Sequence, residues 1–271
     1  MHFRPLFAGL LAVAVLGLTA ASASAARIPH SVLYTSTQPG VANLPSVGVE
    51  AYSFNRIGDE VLLRRRGARL RSVAVQLSSW ACQTGAWNTG DCHTTAGATF
   101  RTQITLTLYR ASSTDSTTHE TTAGEQIATM TKSFAIPYRP SASPKCIGPQ
   151  AGEWFKKGQG CFNGLSHTIG FVLKGRNLHL PKDVVWSVSY SSDHSGPAPF
   201  GGTGAPEDSL NVGLASVVRA GHQRFPGGIF WDTRFADFSC GPPFVPGDFN
   251  LDNAGGCWAG DVPAVQFNAV S

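Results

Sequence analysis

The segment SSDHSGPAPFGGTGAPEDS, residues 191–209, opens on an aspartate beside a histidine and closes on two acids. A carboxylate next to an imidazole can do general acid–base work, and two carboxylates held about 5–10 Å apart can cleave a glycosidic bond. Asp193, His194 and Asp208, with Glu207 beside the last, are therefore the candidate catalytic residues. The residue types equally describe a surface loop stiffened by Pro and Gly, whose acids cap turns. Nothing in the spacing fixes a nucleophile, and neither G-x-S-x-G nor H-E-x-x-H occurs.

A second pattern lies in GDFNLDNAGG, residues 247–256, where Asp248, Asn250 and Asp252 follow the rhythm that offers side-chain oxygens to Ca²⁺. The pattern then fails as an EF-hand loop, because Asn253 stands where Gly is needed and Ala259 where Glu is needed. No cofactor is expected, with Ca²⁺ at these three residues as the alternative. A third pattern is aromatic: Trp80, Trp87, Trp154 and Trp258 sit in or beside cysteine-bounded loops. Indoles on rigid loops stack on the C–H faces of sugars, so these four are candidate ligand-binding residues. The plainer reading has each one plugging an end of the fold.

Six cysteines stand in three neighbouring couples, with nine, fourteen and sixteen residues between partners. The first couple lies in SSWACQTGAWNTGDCH, residues 78–93, where His93 follows the second cysteine. Zinc and redox sites want C-x-x-C or H-x-x-x-H spacing, which is missing here. Sequence alone leaves many connectivities open. Loop-like intervening segments make local pairing the economical choice, so the expected bridges are Cys82–Cys92, Cys146–Cys161 and Cys240–Cys257.

Paired thiols persist outside the cytoplasm, and the N-terminus points there too. Arg4, the apolar run Leu6 to Leu18 and the small residues Ala23-Ser24-Ala25 read as a secretory signal peptide over residues 1–25. The apolar run is short of the ~20 residues that a spanning helix needs, and no second run follows. Residues 26–271 are expected to form one secreted domain with no membrane span. Charged residues make up 14% of the sequence and the net charge is +4, which gives no argument for nucleic acid. The basic run Arg64-Arg65-Arg66-Gly67-Ala68-Arg69-Leu70-Arg71 fits a hairpin tip with its charges in water, where an anionic envelope polymer is the partner it suits. Oligomeric state is not legible.

The elements that must position these residues are strands. Period-two alternation recurs through Leu70, Val73, Val75 and Leu77, then Phe100, Ile104, Leu106 and Leu108. It returns at Ile169, Phe171 and Leu173, at Trp186, Val188 and Tyr190, at Leu210, Val212 and Leu214, and at Val265 and Phe267. No window keeps a 3.6-residue apolar period; AGEWFKK, residues 151–157, has room for one or two helical turns. Short strands with Gly/Pro-rich connections predict an all-β fold, a two-sheet antiparallel sandwich of jelly-roll type with disulfide-stapled loops.

The ordered motifs NLPSVGVEAYSF (43–54), GDEV (58–61), SSWACQTGAWNTGDC (78–92), GATF (97–100), ITLTLY (104–109), IPYRPSA (136–142), GEWF (152–155), CFNG (161–164), DSLNVGL (208–214) and PAVQF (263–267) resemble a family of uncharacterised secreted bacterial proteins. The resemblance implies export and a compact β-rich domain, and it carries no catalytic residue. The chain departs from that pattern in the basic turn LLRRRGARLR. The sequence thus predicts a secreted, non-catalytic binding module for a glycan or cell-envelope polymer. The alternatives are an extracellular polysaccharide hydrolase using the loop carboxylates, and a structural envelope or matrix protein.

Overall fold

A computed structural model describes residues 28–49, 54–114, 121–173, 175, 177–191, 210–233, 249–252 and 260–270. The N-terminal half contributes strands β1 (Val32–Thr35), β2 (Ser46–Gly48), β3 (Phe54–Leu62), β4 (Leu70–Ser79), β5 (Thr99–Arg110), β6 (Ser113–Thr114), β7 (Thr121–Thr122) and β8 (Gln126–Pro137). The middle adds β9 (Trp154–Lys156), β10 (Gly160–Phe162), β11 (Leu165–Val172), β12 (Asp183–Ser189) and β13 (Leu210–Ala215). The rest supplies β14 (His222–Gln223), β15 (Ile229–Thr233), β16 (Asn250–Asp252), β17 (Val262–Pro263) and β18 (Val265–Ala269).

These strands form the all-β antiparallel sandwich that the alternation predicts. In the first sheet β4 is central: β11 runs along one side of it, while β18 and then β13 share the other. In the second sheet β3 is central, with β12 on one side and β15 and β14 on the other. From β12 that sheet continues through β5 to β8. The chain shuttles between layers, with β3 in the second, β4 in the first, β5 and β8 in the second, β11 in the first and β12 in the second. That wrapping is jelly-roll-like.

The alternating residues face inward. Val73, Val75, Leu77, Ile104, Leu106, Leu108, Phe171, Val188, Val212 and Phe267 are all buried in one core fed by both sheets. Side chains of this size contribute about 1.5–3 kcal/mol each when fully buried. The segment AGEWFKK departs from the helical alternative. A 3₁₀ turn at Gly148–Gln150 precedes it, and Trp154–Lys156 pairs with Gly160–Phe162 as a hairpin. At the open sides of the two sheets, β8 and β11 each pair on one side only among the described residues. Lys132 lies on the core-facing side of β8, opposite Ile104. Its ammonium crosses the seam to donate to the Gly170 carbonyl of β11 at 3.1 Å.

The core also holds an acid. Asp59 sits between Ile57 and Val61 on the inward side of β3, paired across the ladder with Trp186, and is fully buried. Burial pushes its carboxyl well above the usual range, outweighing the Glu60 N–H and the Gln223 side chain, which favour the charged form. Burial thus favours the neutral form of Asp59. In the unfolded chain the same carboxyl ionises near its ordinary value, so folding is favoured at low pH and loses that advantage as pH climbs toward the native value. Asp59→Asn removes the titration. Its melting temperature should gain on the wild type between pH 4 and pH 8 by more than about 3 °C, the equivalent of ~1 kcal/mol at this chain size. Calorimetry at both pH values checks this; an offset that is constant with pH would count against a neutral acid.

Candidate functional site

The outward face of the second sheet carries the richest arrangement of polar side chains. Alternation that sends Ile104, Leu106 and Leu108 inward sends Arg101, Gln103, Thr105, Thr107 and Tyr109 outward. The same rule applies to TMT on β8 and SVS on β12. Register then aligns them in rows: Thr107 faces Thr129 and Ser187, while Thr105 faces Thr131 and Ser189. The Thr105 and Thr131 hydroxyls lie 2.8 Å apart and those of Thr107 and Thr129 lie 3.4 Å apart.

Beside this hydroxyl grid runs an open groove of about 600 Å³. Arg101, Gln103, Thr105, Thr131 and Ser189 line it, and Phe54, Asn55, Thr102, Tyr190 and Ser191 complete it. Arg101 and Gln103 are exposed. Next to the groove stands a fixed ion pair. Arg56 Nε meets Asp232 Oδ2 at 3.2 Å, Arg56 Nη1 donates to the Tyr109 hydroxyl at 3.1 Å, and Asn55 Nδ2 donates to Asp232 Oδ1 at 3.4 Å. The guanidinium also lies 5.1 Å from the Phe249 ring centre. Tyr109, Val185, Phe230, Phe249 and Leu251 form a small apolar cluster on the same face, separate from the core.

Farther along β3, the buried Glu60 accepts hydrogen bonds from the backbone and the hydroxyl of Ser112, with Arg224 at 3.8 Å. Burial raises its carboxyl above the ordinary range, against the Ser112 hydroxyl, which lowers it. Gly58 is required here: a Cβ would fall 1.7 Å from the Trp186 carbonyl oxygen.

The two disulfide loops form a second unit. Cys82–Cys92 and Cys146–Cys161 are bonded as the spacing predicts. The third expected bridge, Cys240–Cys257, lies outside the described residues. Segment 138–143 runs between the loops, with Arg139 N donating to the Ala81 carbonyl, Ala142 N to Cys92 and Ser143 N to Glu153. Arg139 itself is fully buried, and its Nη2 donates to the Gly152 carbonyl at 2.6 Å. Burial pulls its pKa down to about 10, with the charge of Glu153 acting the other way, so it stays cationic at neutral pH. The loops touch glycine to glycine. A Cβ on Gly152, whose φ is +89°, would lie 2.6 Å from Gly90 Cα.

The tryptophans divide. Trp80 and Trp87 meet edge to face with ring centres 4.7 Å apart, both half-buried. The Trp80 indole donates to Ser78 Oγ at 3.0 Å. Trp154 is buried, donates to the Gly164 carbonyl at 2.8 Å and packs on Phe162, so it presents no stacking face. His93 is a loop residue paired through its backbone with Thr84. Trp258, Asp193, His194, Glu207, Asp208 and Asp248 lie outside the described residues. Asn250 and Asp252 belong to β16, opposite Trp231 and Ile229, in a ladder instead of a turn. Among the described residues no cluster of three His, Cys, Asp or Glu is placed to hold a metal, and no helix is long and apolar enough to cross a membrane.

The ion pair and the grid were not singled out from sequence. TLT, TMT and SVS are the signal for the grid, since each puts two hydroxyls on one side of a strand. Arg56 and Asp232 carry no such signal, being 176 residues apart. Comparison of the chain with family models, with curated proteins and with solved structures gives no match.

Proposed function

We propose that this chain is an exported, non-catalytic binding module whose ligand is a glycan or another cell-envelope polymer, held in the groove on the outer face of the second sheet. The observation that carries the reading is the composition of that groove: an exposed guanidinium, an exposed carboxamide and hydroxyls on neighbouring strands. Sugars are recognised by such donor and acceptor sets, because each ring hydroxyl both gives and takes a hydrogen bond. The adjacent Arg56–Asp232 pair holds its own strands in place, which lowers the ordering cost of binding. The leader-like N-terminus and the two disulfides support an oxidising, extracellular setting. The resemblance to exported bacterial proteins agrees with it. The half-buried Trp80–Trp87 pair is a second contact candidate on the disulfide loops.

Glycan arrays and polysaccharide pull-downs test the reading. The full chain should retain at least one polysaccharide, and Arg101→Ala with Gln103→Ala should weaken retention by about 10-fold or more, the equivalent of ~1.4 kcal/mol. Trp87→Ala reports on the second contact. No retained polysaccharide, or full retention by the groove variant, would sink the assignment of the groove.

A further inference from the structure

Six of the 21 basic residues gather at one turn. Arg64, Arg65, Arg66, Arg69, Arg71 and Lys182 are all exposed around the turn that joins β3 to β4. Among the described residues none of the six takes part in an ion pair. Six cations exceed the net charge of +4 of the whole sequence, so the remainder of the chain is net negative. The charge is separated, not spread.

The turn that displays them is fixed by its backbone. Leu63 N donates to the Lys182 carbonyl, Arg64 N to Leu33, Gly67 N to Leu180, and Leu180 N returns to Ala68. The His179 ring bonds the Gly67 carbonyl at 2.8 Å, and Arg69 pairs with His179 as an isolated bridge. Gly67 has φ +70°, which the turn needs. A recess opens on each side. The larger, of about 660 Å³, is lined by Arg69, Arg71, Asn177 and Val270, and by Leu70 and Leu173, whose side chains are buried in the core. The smaller, of about 330 Å³, has Arg66, Lys182 and the Glu125-paired Arg110, together with the Asp183 carboxyl. The stronger attraction for an anion is therefore on the Arg69–Arg71 side.

We propose that this end of the sandwich is a docking site for an acidic polysaccharide. Carboxylate or sulfate groups pair with Arg69 and Arg71, beside the exposed Asn177 carboxamide and the half-buried Val270. Guanidinium groups take such oxyanions in two-pronged fashion, which suits a site built from five arginines and one lysine. Two recesses flanking one turn suit a ligand whose anions repeat along a chain. No aromatic ring lines either recess, so the stacking platform that single-stranded nucleic acid uses is missing among the described residues. The proposal shares with the preceding one the idea of a glycopolymer ligand, but it rests on separate residues.

Binding of the full chain to dextran sulfate, polygalacturonate, neutral dextran and duplex DNA tests it, each at low and high salt. The acidic polysaccharides should bind and neutral dextran should not, with affinity falling as salt rises. Arg69→Ala with Arg71→Ala should weaken that binding by about 10-fold or more, whereas Lys157→Ala, an exposed cation outside the lining of both recesses and of the groove, leaves it unchanged, and Arg101→Ala reports whether the groove takes part. Circular dichroism confirms that the variants fold, since both arginines are exposed. Failure to bind either acidic polysaccharide, equal binding by the double variant, or tighter binding of DNA would overturn the proposal. Loss of binding in the Arg101→Ala protein alone would move the ligand to the groove and overturn it as well. Retention of a neutral glycan is a property of the groove and leaves this site to be judged by its own variants.

Discussion

Arg139→Ala should cost about 3 kcal/mol of unfolding free energy and lower the melting temperature by on the order of 10 °C. The guanidinium is fully buried between two loops that lack a thick apolar core of their own. Its 2.6 Å bond to the Gly152 carbonyl is charge-assisted, and such bonds are worth roughly 1.5–3 kcal/mol. Truncation leaves that carbonyl without its donor and opens a void where the side chain lay. Arg139→Lys should recover less than half of the loss, because a point ammonium cannot reproduce the planar fork. Thermal and urea unfolding of both variants check this. A loss below about 1 kcal/mol for Arg139→Ala would mean that the buried cation is not a strut.

Removing a disulfide has a comparable effect. Cys82→Ser with Cys92→Ser, or Cys146→Ser with Cys161→Ser, should each cost about 3 kcal/mol, the chain-entropy value for loops of this size. The sequence separations are 10 and 15, so the two costs should be close. Removing both should cost less than the sum by about 1 kcal/mol. The Gly90–Gly152 contact and the Ala142–Cys92 hydrogen bond make each loop a support for the other, and a support already lost cannot be lost again. Denaturant midpoints at equal slope give the numbers. Strict additivity would show that the loops act independently.

The strands of the core were legible because alternation is a short-range property. Val73, Val75 and Leu77, or Ile104, Leu106 and Leu108, reveal their inward side within a few residues. Two local disulfides were legible for the same reason. What sequence could not show is pairing across long separations. Asp59 reads as one acid among others in GDEV until β3 is placed at the middle of a sheet with Trp186 beside it. Arg139 in IPYRPSA reads as a surface arginine until segment 138–143 is seen to thread two loops. The helical turns for which AGEWFKK has room give way to a hairpin, because the backbone of Trp154–Lys156 pairs with Gly160–Phe162. Of the four loop indoles, Trp80 and Trp87 share one contact and Trp154 is interior, a division that composition does not foretell.

The lysine that bridges the seam bears on behaviour in a crowd. A β-strand with an unpaired flank is an invitation to a neighbouring molecule, and growth by strand addition is the usual consequence. From the flank of β8 the exposed Lys132 reaches across the seam and occupies the Gly170 carbonyl of β11. An incoming chain that sought to zip onto either flank would have to displace an ammonium and bury it. A flank closed in this way is a poor template for fibrous self-assembly.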